Sequence, residues 1–200
     1  TQWWRTSFPK ADITFVNAGI GATGSDIGVH RAPDQLLKFN PDFVAIEFAV
    51  NDYGSDICSE TMEGLVRQIL KQPNHPAALM LFTMHNNGAN TQEQHAIVGR
   101  HYGISMISYR DALWPEIEGG RLAWEDIAAD IVHPNDTGHK WCAELITQYL
   151  DFVLSYMPTE YTMRPVSPLP NPVLTDLFEH VKMYNADNLP PMSNTGWEKV

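Results

Sequence analysis

Clustered positive charge is the first thing this sequence lacks. Its 200 residues hold 13 Lys and Arg against 24 Asp and Glu, a formal net charge of −11, and no basic run interrupts the chain. Nucleic-acid binding neutralises successive phosphates with grouped cations, so the composition argues against that class of partner. Cysteine is scarce too. Cys58 and Cys142 are the only two, and they form neither a CxxC pair nor a zinc-ligand spacing; they read as ordinary partly buried thiols. No apolar run reaches the roughly 18–20 residues that a bilayer span requires. The opening residues Thr1, Gln2, Trp3 and Trp4 have no signal-peptide character, and no repeat appears at solenoid periods.

What is present is 44% hydrophobic content, enough for one buried core, arranged as alternating β-like and helical runs. Residues 13–16 form a short β-rich stretch ending in a Gly-rich turn, with helical spacing over 26–39. Residues 43–50 are nearly continuously apolar, as in a strand covered on both faces. Behind them Met62, Leu65, Val66, Ile69 and Leu70 recur at helical spacing over 59–71. Residues 77–84 predict a third buried strand, 91–102 a third helix, and 104–108 a fourth strand, with Gly103 stopping the helix. A long amphipathic helix is expected from Asp136 to about residue 156. After Met157, the prolines 158, 165, 168, 170 and 172 forbid continuous helix or central strand. The expected division is a domain over 1–157, then a Pro-rich linker and tail over 158–200. That tail holds a short helix near 175–182 and is either docked on the domain or the start of a second module.

In a parallel β/α arrangement, chemistry gathers at the carboxyl ends of the strands, and three loops qualify. In the first, residues 17–25, Gly19, Gly21 and Gly24 spell G-x-G-x-x-G between strand and helix, which admits a dinucleotide-binding reading. The acidic residue that reading requires has only Glu47 as a candidate, inside its strand. The other readings are a plain tight turn or an oxyanion-binding turn. The second loop carries Asn51 and Asp52. Asn51 either caps the next helix or turns the chain, or else donates its amide to a developing oxyanion. In the third, Pro134 keeps His133 out of helical conformation, so Asp130 can fold back onto its imidazole. That arrangement suits a general base and its orienting carboxylate. Metal ligation by Asp130, His133 and His139, or a plain helix cap at Asp136, are the competing readings.

Taken together and in order, the three loops resemble the SGNH hydrolases, the GDSL-like lipases and acylhydrolases. The likeness runs from about Phe15 to Leu145. Residues 17–25 resemble the family's second block. Val50-Asn51-Asp52 resembles its third, G-x-N-D, with Ala49 where Gly is usual, and Asp130-x-x-His133-Pro134 resembles its fifth. Stretches such as 92–109, Trp114-Pro115-Glu116 and 133–139 look like a bacterial branch of the family. The resemblance implies a three-layer α/β/α sandwich on a mostly parallel, flavodoxin-like sheet, with no metal or organic cofactor. It implies His133 as general base, Asp130 as its partner, and an oxyanion hole of Asn51 with a backbone N–H at Ala22 or Gly21.

The family's first block, Gly-Asp-Ser, occurs nowhere in the chain, and Ser25 belongs to the second block, where it is expected to start a helix. The nucleophile, with a strand and a helix, is therefore expected to lie upstream of Thr1, completing the sheet. As written, the chain is expected to be inactive, whereas the complete protein would be a serine esterase acting through an acyl-enzyme on a small-molecule or carbohydrate ester. The alternatives are a nucleotide-binding α/β domain using Gly19 to Gly24 and a noncatalytic carbohydrate-binding or scaffold protein.

Overall fold

The computed structural model describes residues 2–157, 167–184, 188–189, 192–193 and 195–196. In chain order the elements are α1 (Gln2–Ser7), α2 (Ser25–Gln35), a 3-10 turn (Leu37–Phe39), β1 (Phe43–Ile46), α3 (Asp56–Leu70), β2 (Ala77–Phe82), α4 (Gln92–His101), β3 (Ser105–Ser108), α5 (Tyr109–Glu118), α6 (Trp124–Ile127) and α7 (Asp136–Ser155). The strands form one parallel sheet in the order β1-β2-β3. Phe43 lies opposite Ala77, and Leu79 opposite Ser105. Parallel neighbours need a crossover, which α3 and α4 supply.

Helices cover both faces of this sheet, as expected of an α/β/α layering. On one face Val29 and Ala32 of α2, Met62, Leu65, Val66 and Ile69 of α3, and Val98 of α4 pack against Val44, Ile46, Met80 and Phe82. Each fully buried aliphatic side chain of this kind contributes roughly 1.5–3 kcal/mol. A smaller cluster joins Met84, Tyr109, Ile127 and Cys142 with Leu113, Trp114, Trp124 and Trp141 from α5, α6 and α7. These tryptophans are packing residues. No helix among the described residues is long and apolar enough to cross a membrane.

Several expected boundaries shift for identifiable reasons. Residues 13–16 form no strand: among the described residues nothing pairs with them, and Phe15 and Val16 remain exposed. A β-rich run becomes a strand only where a neighbour takes its amides. The run over 43–50 stops pairing at Ile46, because Phe48 O accepts the N–H groups of Asn51 (3.1 Å) and Asp52 (2.9 Å) and turns the chain. The helix over 26–39 breaks after Gln35, two residues beyond the internal Pro33, whose ring cannot donate to the preceding turn. Helices α5 and α6 were not foreseen; Ser108 Oγ caps α5 by accepting Asp111 N–H at 2.9 Å.

The tail departs most from expectation. Residues 158–166, Pro190, Pro191 and Trp197 lie outside the described residues, but residues 167–184 do not form the anticipated helix. They run as a strap over α3, held by a carboxylate. Glu63, fully buried, accepts N–H bonds from Val173 (2.7 Å), Leu174 (2.7 Å) and Thr175 (2.8 Å) and a hydroxyl bond from Tyr102 (2.6 Å). Arg67 Nε donates to Glu179 at 2.7 Å and Arg67 Nη1 to Pro170 O at 2.9 Å, while Lys71 also pairs with Glu179. Within 175–182 the chain forms turns instead, with Leu177 N–H donating to Thr175 Oγ1 and Glu179 N–H to Asp176 O, each at 3.1 Å. Phe178 fits because residue 64 is glycine: a Cβ there would lie 2.4 Å from Phe178 Cβ.

Burial alone would raise the Glu63 carboxyl, but the Tyr102 hydroxyl and the three amides outweigh it and hold it below its ordinary value. A depressed folded value means that the strap's contribution is complete above the usual glutamate range and is lost as pH falls from that range through the lower folded value. Glu63→Gln turns one acceptor into a donor facing other donors. The expected loss is about 1–3 kcal/mol in urea unfolding, with faster hydrogen exchange at residues 173–175. Unchanged exchange there would show that Glu63 does not hold the strap.

Candidate active site

The Gly-rich turn is shaped by its own side chains. Asn17 Oδ1 accepts Gly19 N–H at 3.0 Å, Thr23 Oγ1 donates to Ile20 O at 2.7 Å, and the Arg31 guanidinium reaches back to Ala18 O at 3.1 and 3.2 Å. Ala22 sits at φ +57°, a left-handed conformation that costs an L-residue roughly 1–2 kcal/mol. Glycine would adopt it freely. Gly21 and Ala22 are both exposed, and nothing lies within 4 Å of where a Gly21 Cβ would be.

The turn ends at Gly24, the N-cap of α2, so Ser25 is the first helical residue rather than the cap. Ser25 is completely buried. Its Oγ bonds with Thr61 Oγ1 at 2.8 Å and with Cys58 O at 3.1 Å. It starts the helix, as expected, and has no access to a substrate.

Asp52 locks this turn to the one after β1. Its Oδ1 accepts Ser25 N–H at 2.7 Å and its Oδ2 accepts His95 Nε2–H at 2.8 Å. Asn51, one residue earlier, is exposed and donates its side-chain amide to Thr23 O at 3.3 Å. It does not cap α3, whose N-cap is Ser55. A pyrophosphate would need the amide at the start of α2, and Asp52 already holds it with a negative charge. Glu47 is also committed, its Oε1 accepting from Ala49 N (3.0 Å), Thr83 N (3.4 Å) and Thr83 Oγ1 (2.8 Å). Burial raises the Glu47 carboxyl despite those bonds. Both features weigh against the dinucleotide reading of Gly19, Gly21 and Gly24.

The third loop places Asp130 and His133 in direct contact. Asp130 Oδ2 accepts His133 Nδ1–H at 2.8 Å, while Oδ1 accepts the backbone N–H groups of Val132 and His133, both at 2.8 Å. Trp124 Nε1 steadies the loop from behind by donating to Asp130 O at 2.6 Å. The cap of α7 is Asn135, accepting Gly138 N–H at 3.0 Å, and not Asp136. The imidazole is 76% exposed and the carboxylate 51%. Among the described residues no group of three His, Cys, Asp or Glu side chains converges to hold a metal ion.

All three loops share one rim of the sheet, and the segment after β2 ties two of them together. His85 Nε2–H donates to Val50 O at 3.1 Å, next to Asn51, while Asn86 N–H donates to Ile131 O at 2.9 Å, two residues before His133. His85 and His95 were not foreseen as part of this region. His95 had a readable signal, since it shares the buried stripe of α4 with Gln92, Val98 and Gly99. His85 had none, because its partner is a backbone carbonyl.

An imidazole held at Nδ1 by a carboxylate keeps Nε2 free to take a proton from a hydroxyl, and an amide on the same rim can stabilise an oxyanion. The sequence profile of the GDSL-like lipase/acylhydrolase family matches residues 2–141. The chain belongs to this family. A two-domain esterase active on acetylated mannans is 40% identical, with a TM-score of 0.85 over 93% of this chain and 50% of its own. The same description applies to a structure co-crystallised with mannopentaose, at 39% identity and TM-score 0.82 over 90% of this chain and 47% of its own. This GDSL-like chain thus spans about half the length of those esterases. A gut microbial diltiazem-metabolizing enzyme, at 17% identity and TM-score 0.55 over 75% of this chain and 42% of its own, shares the fold. No curated protein sequence matches the chain.

The backbone N–H groups of His133 and Val132, with the imidazole, hold the Asp130 carboxyl at about 2, below its ordinary 3.8. A titration of the Asp130 side-chain carbon resonance should therefore find its midpoint near 2. A midpoint in the ordinary aspartate range would contradict the three-bond arrangement.

Proposed function

We propose that this chain supplies the general base, its orienting carboxylate and most of the oxyanion hole of a carboxylic-ester hydrolase that removes acetyl groups from carbohydrate. The observation that carries the reading is the 2.8 Å Asp130–His133 bond on the rim that also bears Asn51. In this reading the nucleophile is a serine of a Gly-Asp-Ser block, which these 200 residues do not contain. His133 Nε2 takes the serine proton as Oγ attacks the ester carbonyl, and Asp130 stabilises the imidazolium that forms. The Asn51 amide and a backbone N–H at Ala22 or Gly21 hold the oxyanion. His133 then gives the proton to the departing sugar hydroxyl, and water repeats the cycle on the acyl-enzyme.

The carbohydrate part rests on the acetylated-mannan esterases at 39–40% identity and on the exposure of His133, which suits an acetyl group projecting from a polymer. The test is acetate release from acetylated mannan and from an aryl acetate. The protein used is this chain preceded by a Gly-Asp-Ser strand and helix. His133→Ala is expected to lower kcat/KM by about 10³-fold or more, and Asn51→Ala by about 10²–10³-fold. No acetate from the folded protein, or activity indifferent to His133→Ala, would favour a noncatalytic scaffold. Saturable binding of a reduced nicotinamide cofactor would instead favour the nucleotide-binding alternative.

A further inference from the structure

A second acid–imidazole pair, Asp52 and His95, differs from the first in every respect that matters to chemistry. The Asp52 side chain has no exposed surface and that of His95 only 2%, so neither can touch a substrate. Three elements nevertheless meet at this pair: the first amide of α2 through Ser25, the turn after β1 through Asp52 itself, and α4 through His95. The same end of α4 grips that turn again, since Thr91 N–H and Thr91 Oγ1 donate to Ala49 O at 2.9 and 3.1 Å. The fit leaves no slack. A Cβ on Gly24 would stand 2.5 Å from Asp52 Oδ1.

We infer that Asp52 and His95 are positioning residues that aim the Asn51 amide and the Gly-rich turn at the oxyanion. This rests on the reading of Asn51 as an oxyanion donor. A buried carboxylate stays in place only while its oxygens are satisfied. Ser25 N–H satisfies Oδ1 and His95 Nε2–H satisfies Oδ2. Without the imidazole, Oδ2 is left unpaired in the interior, and the carboxylate turns toward water. Asn51 precedes it by one peptide unit and the Gly-rich turn hangs from its other oxygen, so both donors move together. A donor aimed at a charge that develops only in the transition state acts on turnover rather than on substrate binding.

The test compares His95→Leu, which removes the donor, with His95→Gln, whose side-chain N–H can reach the same oxygen. Both are made in the Gly-Asp-Ser-bearing protein, alone and with Asn51→Ala. His95→Leu is expected to lower kcat about 10–100-fold with KM changed by no more than about twofold. His95→Gln should recover most of that loss, and His95→Leu should cost less once Asn51 is alanine, the remaining cost being that of the displaced Gly-rich turn. The Asn51 side-chain amide resonance, identified by its disappearance in Asn51→Ala, should shift in His95→Leu and return in His95→Gln.

An unchanged kcat, a loss confined to KM, full additivity with Asn51→Ala or an unmoved Asn51 resonance would overturn the inference. If His95→Leu does not fold, Asp52→Asn asks the same question, because its amide sets a donor against His95 Nε2–H. An intermediate fall in kcat with a shifted Asn51 resonance then supports the pair, and neither effect overturns it. Should the unsubstituted protein release no acetate, the esterase reading fails by itself, and the resonance measurement still decides whether the pair positions Asn51.

Discussion

A carboxylate with no exposed surface, that of Asp52, joins the pieces of this rim. Its two oxygens are shared between the first amide of α2 and the imidazole of α4, 2.7 and 2.8 Å away. The constraint propagates in both directions. Upstream it forces Gly24 to lack a side chain and leaves the preceding turn to be shaped by Asn17, Thr23 and Arg31. Downstream it fixes the register in which the chain leaves β1 and enters α3, because Phe48 O already holds the amides of residues 51 and 52. Burying such a group is favourable only with both oxygens bonded, which makes the three elements interdependent rather than merely adjacent.

The two aspartate–histidine pairs illustrate how environment assigns different work to the same groups. Asp130 and His133 sit on an exposed loop, where the imidazole keeps a free nitrogen in reach of solvent. Asp52 and His95 are enclosed, so the same bond length serves only to hold backbone segments together. Glu63 extends the principle to the far side of α3. There an enclosed carboxylate gathers three successive amides of residues 173–175 and binds the chain beyond α7 to the helical layer. Carboxylates thus organise this acidic chain from within as well as solvating its surface.

Much of this was legible in the sequence because hydrophobic periodicity reports burial directly. The stripe Met62, Leu65, Val66 and Ile69 and the apolar runs opening at Phe43 and Ala77 place α3, β1 and β2 with little ambiguity. The order of Gly-rich turn, Asn-Asp and Asp-x-x-His pointed to the family, and Pro134 pointed to an extended His133. Pairing was not legible. Residues 13–16 have strand composition but no ladder, and residues 175–182 have helix-compatible composition but close only short turns. Composition states what a segment would do if its neighbours allowed it.

By itself, the sequence determined the α/β alternation, the family and the candidate base with its carboxylate, because each is read from short local patterns and their order along the chain. Asp130 and His133 need only three positions and a proline to find each other. Tertiary structure alone decided that His95 belongs to Asp52, that His85 and Asn86 bridge the loops of Asn51 and His133, and that Glu63 anchors a strap more than a hundred residues away. Those partners are separated by tens to over a hundred positions, and hydrogen bonds to backbone groups leave no mark on residue identity. Only the folded path of the chain determines which buried polar group meets which donor.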